Sequence, residues 1–498
     1  MGWKSAILRP FAKSIARKIK RDASNAVEDQ KRIMKALVQK AKATSFGVDH
    51  NFAGIGSYRN LTNQIPIVDY EGLRPYVDRI VAGEANVLWP GKPMYFAKTS
   101  GTTSGVKYIP LTKSSLPNHF GTARNALFNH FALTGNGKFL DGKMIFLSGS
   151  PEMGDTNGIL TGRLSGIVNH QVPKWLRTNQ MPTYKTNCIE DWETKVDAIV
   201  RETAKEDMRL ISGIPPWVQM YYERLLEYTG KQTVLEVFPN FDVFVYGGVN
   251  FEPYRKTLEE LVGKSIHTVE TYPASEGFVA FQDQPGNSDL LLNSNSGIFF
   301  EFIPVSEMGS DNPIRLSVEQ VEVGVNYAVI LHNNAGLWGY SLGDTIEFVS
   351  ANPYRLKVTG RIKHFISAFG EHVIGKEVDL AMQRAAEEIG IRVVEFTVAP
   401  QITPETGLPY HEWFVESNAT TNQLSTLAEK VDVHLQEQNA YYADLIEGKI
   451  LQPAIITPVA IGGFRNYMQS IGKLGGQNKV PRLSNDRKLA DALQKFLA

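Results

Sequence analysis

Short apolar runs rich in β-branched residues recur through the first half of the chain, and each closes on small or turn-forming residues. "KMIFLSGS" (143–150), "RLISGIP" (209–215), "DVFVYGG" (242–248) and "HTVETYP" (267–273) all end in Gly, Ser or Pro. Between them the apolar positions fall three or four apart, as from Trp217 to Glu227 and from Glu252 to Val262. That spacing puts the apolar side chains on one helix face. Strands alternating with helices predict βαβ crossovers and a mainly parallel, doubly wound sheet that takes ligands at its carboxyl edge.

Beyond about residue 278 the texture changes. "GIFFEFIPV", "VNYAVILHN", "DTIEFVS" and "YRLKVTG" are strand-like with few helices between them, which predicts an antiparallel, barrel-like subdomain. From "GRIKHFISAFGEHVIGKEV" onward both periods return: a helix over 375–389, strands over 393–399 and 411–417, and a helix over 422–438. The expected organisation is an α/β chain with a large domain over residues 1–362 and a small α+β domain over 363–498. No internal repeat or low-complexity segment interrupts it.

Composition narrows the classes. At 498 residues the chain exceeds one core. It is 43% hydrophobic and 21% charged, within the range of globular proteins. Lys plus Arg equals Asp plus Glu at 52 each, so no global field favours a nucleic-acid partner. One cysteine, Cys188, excludes an internal disulfide framework and Cys-based zinc sites, and suits a reducing, cytoplasmic compartment. Its simplest reading is a buried small apolar residue. No apolar run reaches the length of a membrane span. The first 21 residues carry seven basic groups and no acid, with Trp3, Ile7, Leu8, Phe11, Ile15 and Ile19 near helical spacing. Such a helix either docks on its own domain with Lys and Arg outward or makes weak contact with an anionic membrane surface.

The candidate chemistry begins at "TSGTTSGVKYIP" (99–110). A Gly/Ser/Thr loop between two strands lets consecutive backbone N–H groups converge on one anion, with hydroxyl donors added and Lys107 supplying full charge. It is not a Walker A loop, because the spacing before the lysine differs. Four further pieces follow in order: "VYGGVNFEPY" (245–254), "ETYPASEGF" (270–278), "WGYSLGDTIEF" (338–348) and "GRIKHFISAFGEHV" (360–373). Singly, each has an ordinary explanation: Tyr272 as a half-buried aromatic, Glu276 as an acid at a helix N-terminus, Asp344 as a turn residue.

Taken together, TSGTTSGVK, YGG, TYPASE, YSLGD and GRIK resemble, in order, the motifs of the adenylate-forming enzymes: acyl-CoA synthetases, peptide-synthetase adenylation domains and luciferases. Within that superfamily the chain is most similar to the plant auxin-responsive (Gretchen Hagen) acyl-acid amido synthetases and their bacterial relatives. Ser104 before Gly105, the following "KYIP" and the C-terminal "GQNKVPR" (476–482) carry that closer likeness. The resemblance spans about residues 96 to 482. Three departures stand out: a loop one residue shorter before Lys107, Ser341 where the plant motif has arginine, and Asn478 where it has tyrosine.

The resemblance implies an ATP- and Mg²⁺-dependent ligase that adenylates a small carboxylic acid and passes the acyl group to an amino acid. The alternatives are an acid–thiol ligase using coenzyme A and a non-enzymatic nucleotide-binding relative. It implies roles for Ser100, Gly101, Thr102, Thr103 and Lys107 around the phosphates. Gly248, Val249 and Tyr272 would line the adenine, with Ser275 beside it, and Asp344 would hold the ribose hydroxyls with Arg361 next to them. Glu276 would help hold Mg²⁺, Lys363 would mark a hinge, and Lys479 would reach the α-phosphate and the acid. The acid itself would lie near 147–168 and 213–225, where Trp217, Val218, Met220 and Tyr221 are either contacts or core, and where Arg163 offers a positive charge.

Overall fold

A computed structural model describes residues 3–102, 105–172, 177–248, 251–307, 310, 312–362, 365–366, 368–371, 373–471 and 480–498. Two compact units emerge: one of residues 1–99, 107–190 and 195–362, the other of 100–106, 191–194 and 363–498. Thr103, Val249, Lys363 and Lys479 lie outside the described residues, as do the side chains of Ser100, Gly101, Thr102 and Arg361.

The first unit opens with helices. The basic segment forms the helix Trp3–Ser24, and its apolar stripe is spent on its own domain. Ala12, Ile15 and Ile19 are buried with Phe128, Phe131 and Phe139, and Phe11 meets Phe128 edge-on at 5.0 Å. Ile7 and Phe11 of that stripe stay exposed, at 66% and 43%. The helix is therefore docked on its own domain through Ala12, Ile15 and Ile19.

Strand β1 (Tyr95–Thr102) takes in Thr99–Thr102 and strand β2 (Gly105–Leu111) begins at Gly105, so the described part of the Gly/Ser/Thr segment is strand rather than the expected loop. With β4 (Gly154–Thr156) and β5 (Ile159–Gly162) they make a four-stranded sheet of order β2-β1-β5-β4. Its core draws on the helices Ala26–Ala41 and Tyr70–Val81, the latter started by Asp69, whose carboxylate accepts from the amides of Glu71 and Gly72.

The main sheet has twelve strands. Its parallel half contains β3 (Lys143–Phe146), β6 (Gln180–Met181), β7 (Met208–Ser212), β8 (Val243–Gly247) and β9 (His267–Pro273). Its antiparallel half contains β10 (Phe278–Phe281), β11 (Leu290–Leu292), β12 (Ile298–Pro304), β13 (Leu316–Ser317), β14 (Asn326–Asn333), β15 (Tyr340–Ala351) and β16 (Tyr354–Arg361). The order is β13-β12-β14-β15-β16-β11-β10-β9-β8-β7-β3-β6. The expected parallel and antiparallel regions are thus hydrogen-bonded into one sheet. Crossover helices Pro215–Thr229 and Glu252–Val262 join β7 to β8 and β8 to β9, each begun with proline in its first turn, where no N–H is needed.

The antiparallel half is curled. Tyr272 on β9 and Asp344 on β15 stand four strands apart, about 19 Å in a flat sheet. Their side chains nevertheless meet at 2.7 Å. Tyr272 also shares one core with Phe300 on β12, Tyr327 on β14 and Leu356 on β16, which a flat sheet would spread across a wide face. This wrapping is the barrel-like character that the strand-rich texture predicts.

Close approach shapes the parallel edge as well. A Cβ on Gly247 would lie 2.2 Å from the carbonyl oxygen of Thr271, so β8 can pair with β9 there only without a side chain.

The second unit holds the hairpin β17 (Phe365–Ile366) and β18 (Val373–Ile374), then the helix Gly375–Ile389. A three-stranded sheet follows, of order β19 (Val393–Gln401), β20 (Tyr410–Ser417) and β21 (Ile455–Val459). The helix Thr421–Gln438 begins with a capping box between Thr420 and Gln423.

Candidate active site

The carboxyl edge of a parallel sheet is where crossover loops leave room for a ligand. At that edge β8 ends in Gly247, followed by exposed Gly248 at φ 78°. The next strand, β9, does not lead into a helix. Ala274 and Gly277 exchange backbone hydrogen bonds at 3.0 and 3.1 Å, so Ser275 and Glu276 form the two-residue tip of a hairpin that returns as β10. The reading of Glu276 as a helix N-terminal acid is therefore replaced: it is a hairpin-tip acid held out at the sheet edge.

Two asparagines fix that tip. Asn333 donates through Nδ2 to the carbonyl of Glu276 at 2.7 Å, while its own Oδ1 accepts from the amides of Ala335 and Leu337. Asn118 accepts from the amide of Phe278 at 2.7 Å and donates to the carbonyl of the same residue at 3.2 Å. The carboxylate of Glu276 accepts from the Tyr340 hydroxyl at 3.1 Å. Burial, with Glu276 beside it, pushes the Tyr340 phenol well above its ordinary value, so it stays a donor.

Asp344 reaches the same region from β15. Ala328 pairs with Thr345 but Ile330 pairs with Ser341, so β15 carries extra residues opposite β14 and bulges at 342–344. Gly343 in that bulge has φ 85°, a conformation costly for any residue with a Cβ. The bulge re-aims Asp344, which is buried and accepts from the Tyr272 hydroxyl at 2.7 Å. Asp344 pairs in register with Arg361 on β16, and the Ile362 amide bonds the Gly343 carbonyl at 2.8 Å.

Thus Tyr272, Ser275, Glu276 and Asp344 gather where β9 ends and β15 begins, and Gly248 lies at the end of the neighbouring strand β8. Lys107 is placed on β2 in the other sheet, its ammonium 5.8 Å from the centroid of the Tyr70 ring. Among the described residues no group of three or more His, Cys, Asp and Glu could hold a metal ion by itself. One carboxylate at an open edge suits a hard cation whose other oxygens come from phosphates and water.

Around the expected acid pocket, Val218 and Tyr221 are fully buried, with the Tyr221 hydroxyl 2.7 Å from that of Thr203, so both belong to the core. Trp217 and Met220 are half-buried. Arg163 lies across Gly149, where a Cβ would come within 3.0 Å of its Cδ. Cys188 is half-buried rather than buried.

Sequence reasoning misses Tyr340, Asn333, Asn118 and Lys195. Lys195 is buried, donates to the carbonyls of Ser148 and Asn187 at 2.9 and 2.7 Å, and is pushed down to about 8 by desolvation. Only Tyr340, inside the Asp344 motif, carried a local signal.

Three family models match the chain: the GH3 family N-terminal domain over residues 15–187 and 153–266, the central domain over 291–361 and the C-terminal domain over 376–488. Among curated relatives, the jasmonoyl–L-amino acid synthetase JAR4 of Nicotiana attenuata is 22% identical over 81% of this chain and 81% of its own length. The jasmonoyl–L-amino acid synthetase GH3.5 of Oryza sativa subsp. japonica is 23% identical over 93% of each. Among solved structures, the AtGH3.15 acyl acid amido synthetase in complex with 2,4-DB superposes with a TM-score of 0.62 at 16% identity, covering 98% of this chain and 96% of its own. A 2-hydroxyisobutyryl-CoA ligase superposes with a TM-score of 0.54 at 13% identity, covering 98% and 92%. The fold is that of the adenylate-forming ligases, and the chain belongs to the GH3 family, that of the acyl-acid amido synthetases.

Proposed function

We propose that this ligase activates a small carboxylic acid with ATP as an acyl-adenylate and then transfers the acyl group to the amine of an amino acid. The observation that carries the reading is the bulge of β15, which turns a buried carboxylate, Asp344, toward the carboxyl edge of the parallel strands. A carboxylate there suits the paired hydroxyls of a ribose, with Tyr272 holding it in place.

The first step drives two anions together, since the acid carboxylate attacks the α-phosphate and pyrophosphate leaves. The site must neutralise both. Mg²⁺ held with the help of Glu276 would supply charge to the phosphates. Backbone amides and hydroxyls of Ser100, Gly101, Thr102 and Thr103, with Lys107, would hold the phosphate chain. Gly248 and Val249 would line the adenine beside Tyr272 and Ser275, and Arg361 would lie next to the ribose. Lys479 would sit between carboxylate and α-phosphate. The acyl-adenylate is a mixed anhydride, so its attack by an amine needs no nucleophilic side chain. In this reading the domain of residues 363–498 changes position between the two steps about Lys363.

The test is ATP consumption by the full chain with pooled carboxylic acids and Mg²⁺, supplied with amino acids or with coenzyme A, the products identified by mass. An acyl–amino acid conjugate and AMP are expected. A thioester found only with coenzyme A would replace the amide reading by a thiol ligase. No ATP turnover with any acid would leave a nucleotide-binding relative.

A further inference from the structure

Beneath the start of β15 lies a buried polar network unrelated to any motif. Glu301 and His332 are both 0% exposed. Glu301 accepts from Arg315 at 2.6 and 2.8 Å, from the Tyr58 hydroxyl at 3.0 Å, and from His332 Nε2. Arg315 also donates to the carbonyls of Thr62 and Ile65 at 3.0 and 2.6 Å. Burial raises the Glu301 carboxyl, but the Arg315 guanidinium and the hydrogen bonds from Arg315 and His332 outweigh it and hold Glu301 low, so it is a carboxylate.

The other ring nitrogen of His332 has a different task. The Gly339 amide donates to Nδ1 at 3.3 Å. An acceptor at Nδ1 requires the proton on Nε2, which therefore points at Glu301. Burial keeps the imidazole neutral, in line with that tautomer. Gly339 immediately precedes Tyr340, and its carbonyl accepts from the Val68 amide at 2.9 Å. The next residue of the chain after His332 is Asn333, which holds the backbone of Glu276.

We propose that His332 is a positioning residue for the nucleotide site. Its Nδ1 tethers Gly339, and the tether fixes where Tyr340 meets Glu276 and where the bulge presents Asp344. This rests on the nucleotide reading of that site. The two ring nitrogens separate the roles: Nε2 joins the buried ion network and serves stability, whereas Nδ1 serves the geometry of β15.

The experiment compares His332→Asn, whose Oδ1 can accept at the δ position, with His332→Gln, whose amide reaches the ε position. Arg315 and Tyr58 still hold Glu301 in both, so the fold is retained. MgATP affinity by calorimetry and hydrogen exchange of peptides covering 338–344 are measured on the full chain, beside melting temperature. His332→Asn should keep MgATP affinity within about threefold and slow exchange at 338–344, although it melts lower. His332→Gln should melt closer to the parent, yet lose about tenfold or more in affinity and exchange faster at 338–344. Equal affinity in the two variants, or affinity that simply follows melting temperature, overturns the proposal. If the parent chain does not bind MgATP, the nucleotide reading fails by itself. Exchange then decides the tether alone, with unchanged exchange in His332→Gln overturning it.

Discussion

The Tyr340 phenol donates to the Glu276 carboxylate at 3.1 Å, tying the start of β15 to the tip of the β9–β10 hairpin across 64 residues of sequence. The contact orients the acid without neutralising it, because the strongly raised phenol keeps its proton. Replacing Tyr340 by Phe frees the carboxylate to rotate and leaves the ring packing intact. Acyl-adenylate formation should slow by about tenfold with MgATP affinity little changed. Pyrophosphate release titrated with Mg²⁺ checks this, and an unchanged Mg²⁺ dependence would remove Glu276 from the metal.

Asp344 and Gly343 should separate binding from stability. On the proposed ribose role, Asp344→Ala removes charge-assisted hydrogen bonds and should weaken ATP binding by about 100-fold. Gly343→Ala meets no atom within 4 Å, so its cost is only the φ of 85°, about 1–2 kcal/mol. It should fold, melt slightly lower and bind ATP poorly because the bulge shifts. Calorimetry showing full ATP affinity in Asp344→Ala would overturn the ribose assignment.

Gly247→Ala is expected to behave in the opposite way. Its Cβ would press on the Thr271 carbonyl at 2.2 Å, in backbone that cannot swing aside without breaking the β8–β9 pairing. A loss of about 3 kcal/mol or more is expected. Urea unfolding measures it, with Gly248→Ala, where the space is open, as the milder comparison.

Acid should destabilise the first unit through buried imidazole. Burial pushes His119 down to about 4 from an ordinary 6.5. Below pH 6.5 the unfolded chain therefore takes up a proton that the folded chain refuses. Stability falls as pH drops from 6.5 to 4, by at most about 3 kcal/mol from this residue. His130, also held to about 4, adds a parallel loss. Unfolding midpoints at pH 7.5 and 5 should differ less in His119→Leu than in the parent, and an equal difference would show that His119 is not the source.

Lys479→Ala tests the second unit's share in chemistry. A positive charge between carboxylate and α-phosphate acts mainly as those anions converge. Adenylation should fall by roughly 10²–10³-fold with ATP affinity nearly unchanged. Supplied with preformed acyl-adenylate, the variant should still transfer the acyl group. Equal damage to both steps would point to folding or docking instead.

Elements set by local periodicity were legible in the sequence. The helix over 375–389 is found at Gly375–Ile389, and the crossover helix read over 252–262 at Glu252–Val262. Tyr272 and Asp344 were legible through the resemblance of their motifs, and the structure brings them into contact. The β9–β10 hairpin was not read, because a two-residue tip of Ser275 and Glu276 looks locally like a helix start. Asn118 and Asn333 gave no signal at all. Their partners lie 160 and 57 residues away, and a lone asparagine has no spacing that announces such a contact. Lys195 was equally silent, since a buried lysine looks like a surface one until its carbonyl partners are known.

The curled half of the main sheet also bears on how the protein reaches its working form. Tyr272 and Asp344 become neighbours only after the intervening strands β10, β11 and β16 have paired and wrapped, a closure spanning 72 residues. Contacts of such separation form late, because chain entropy is lost before they are made. On the proposed nucleotide reading of this pair, ATP should find nothing to grip on a nascent or partly folded chain. It would bind only molecules whose wrapping is complete, and by doing so draw the population toward them.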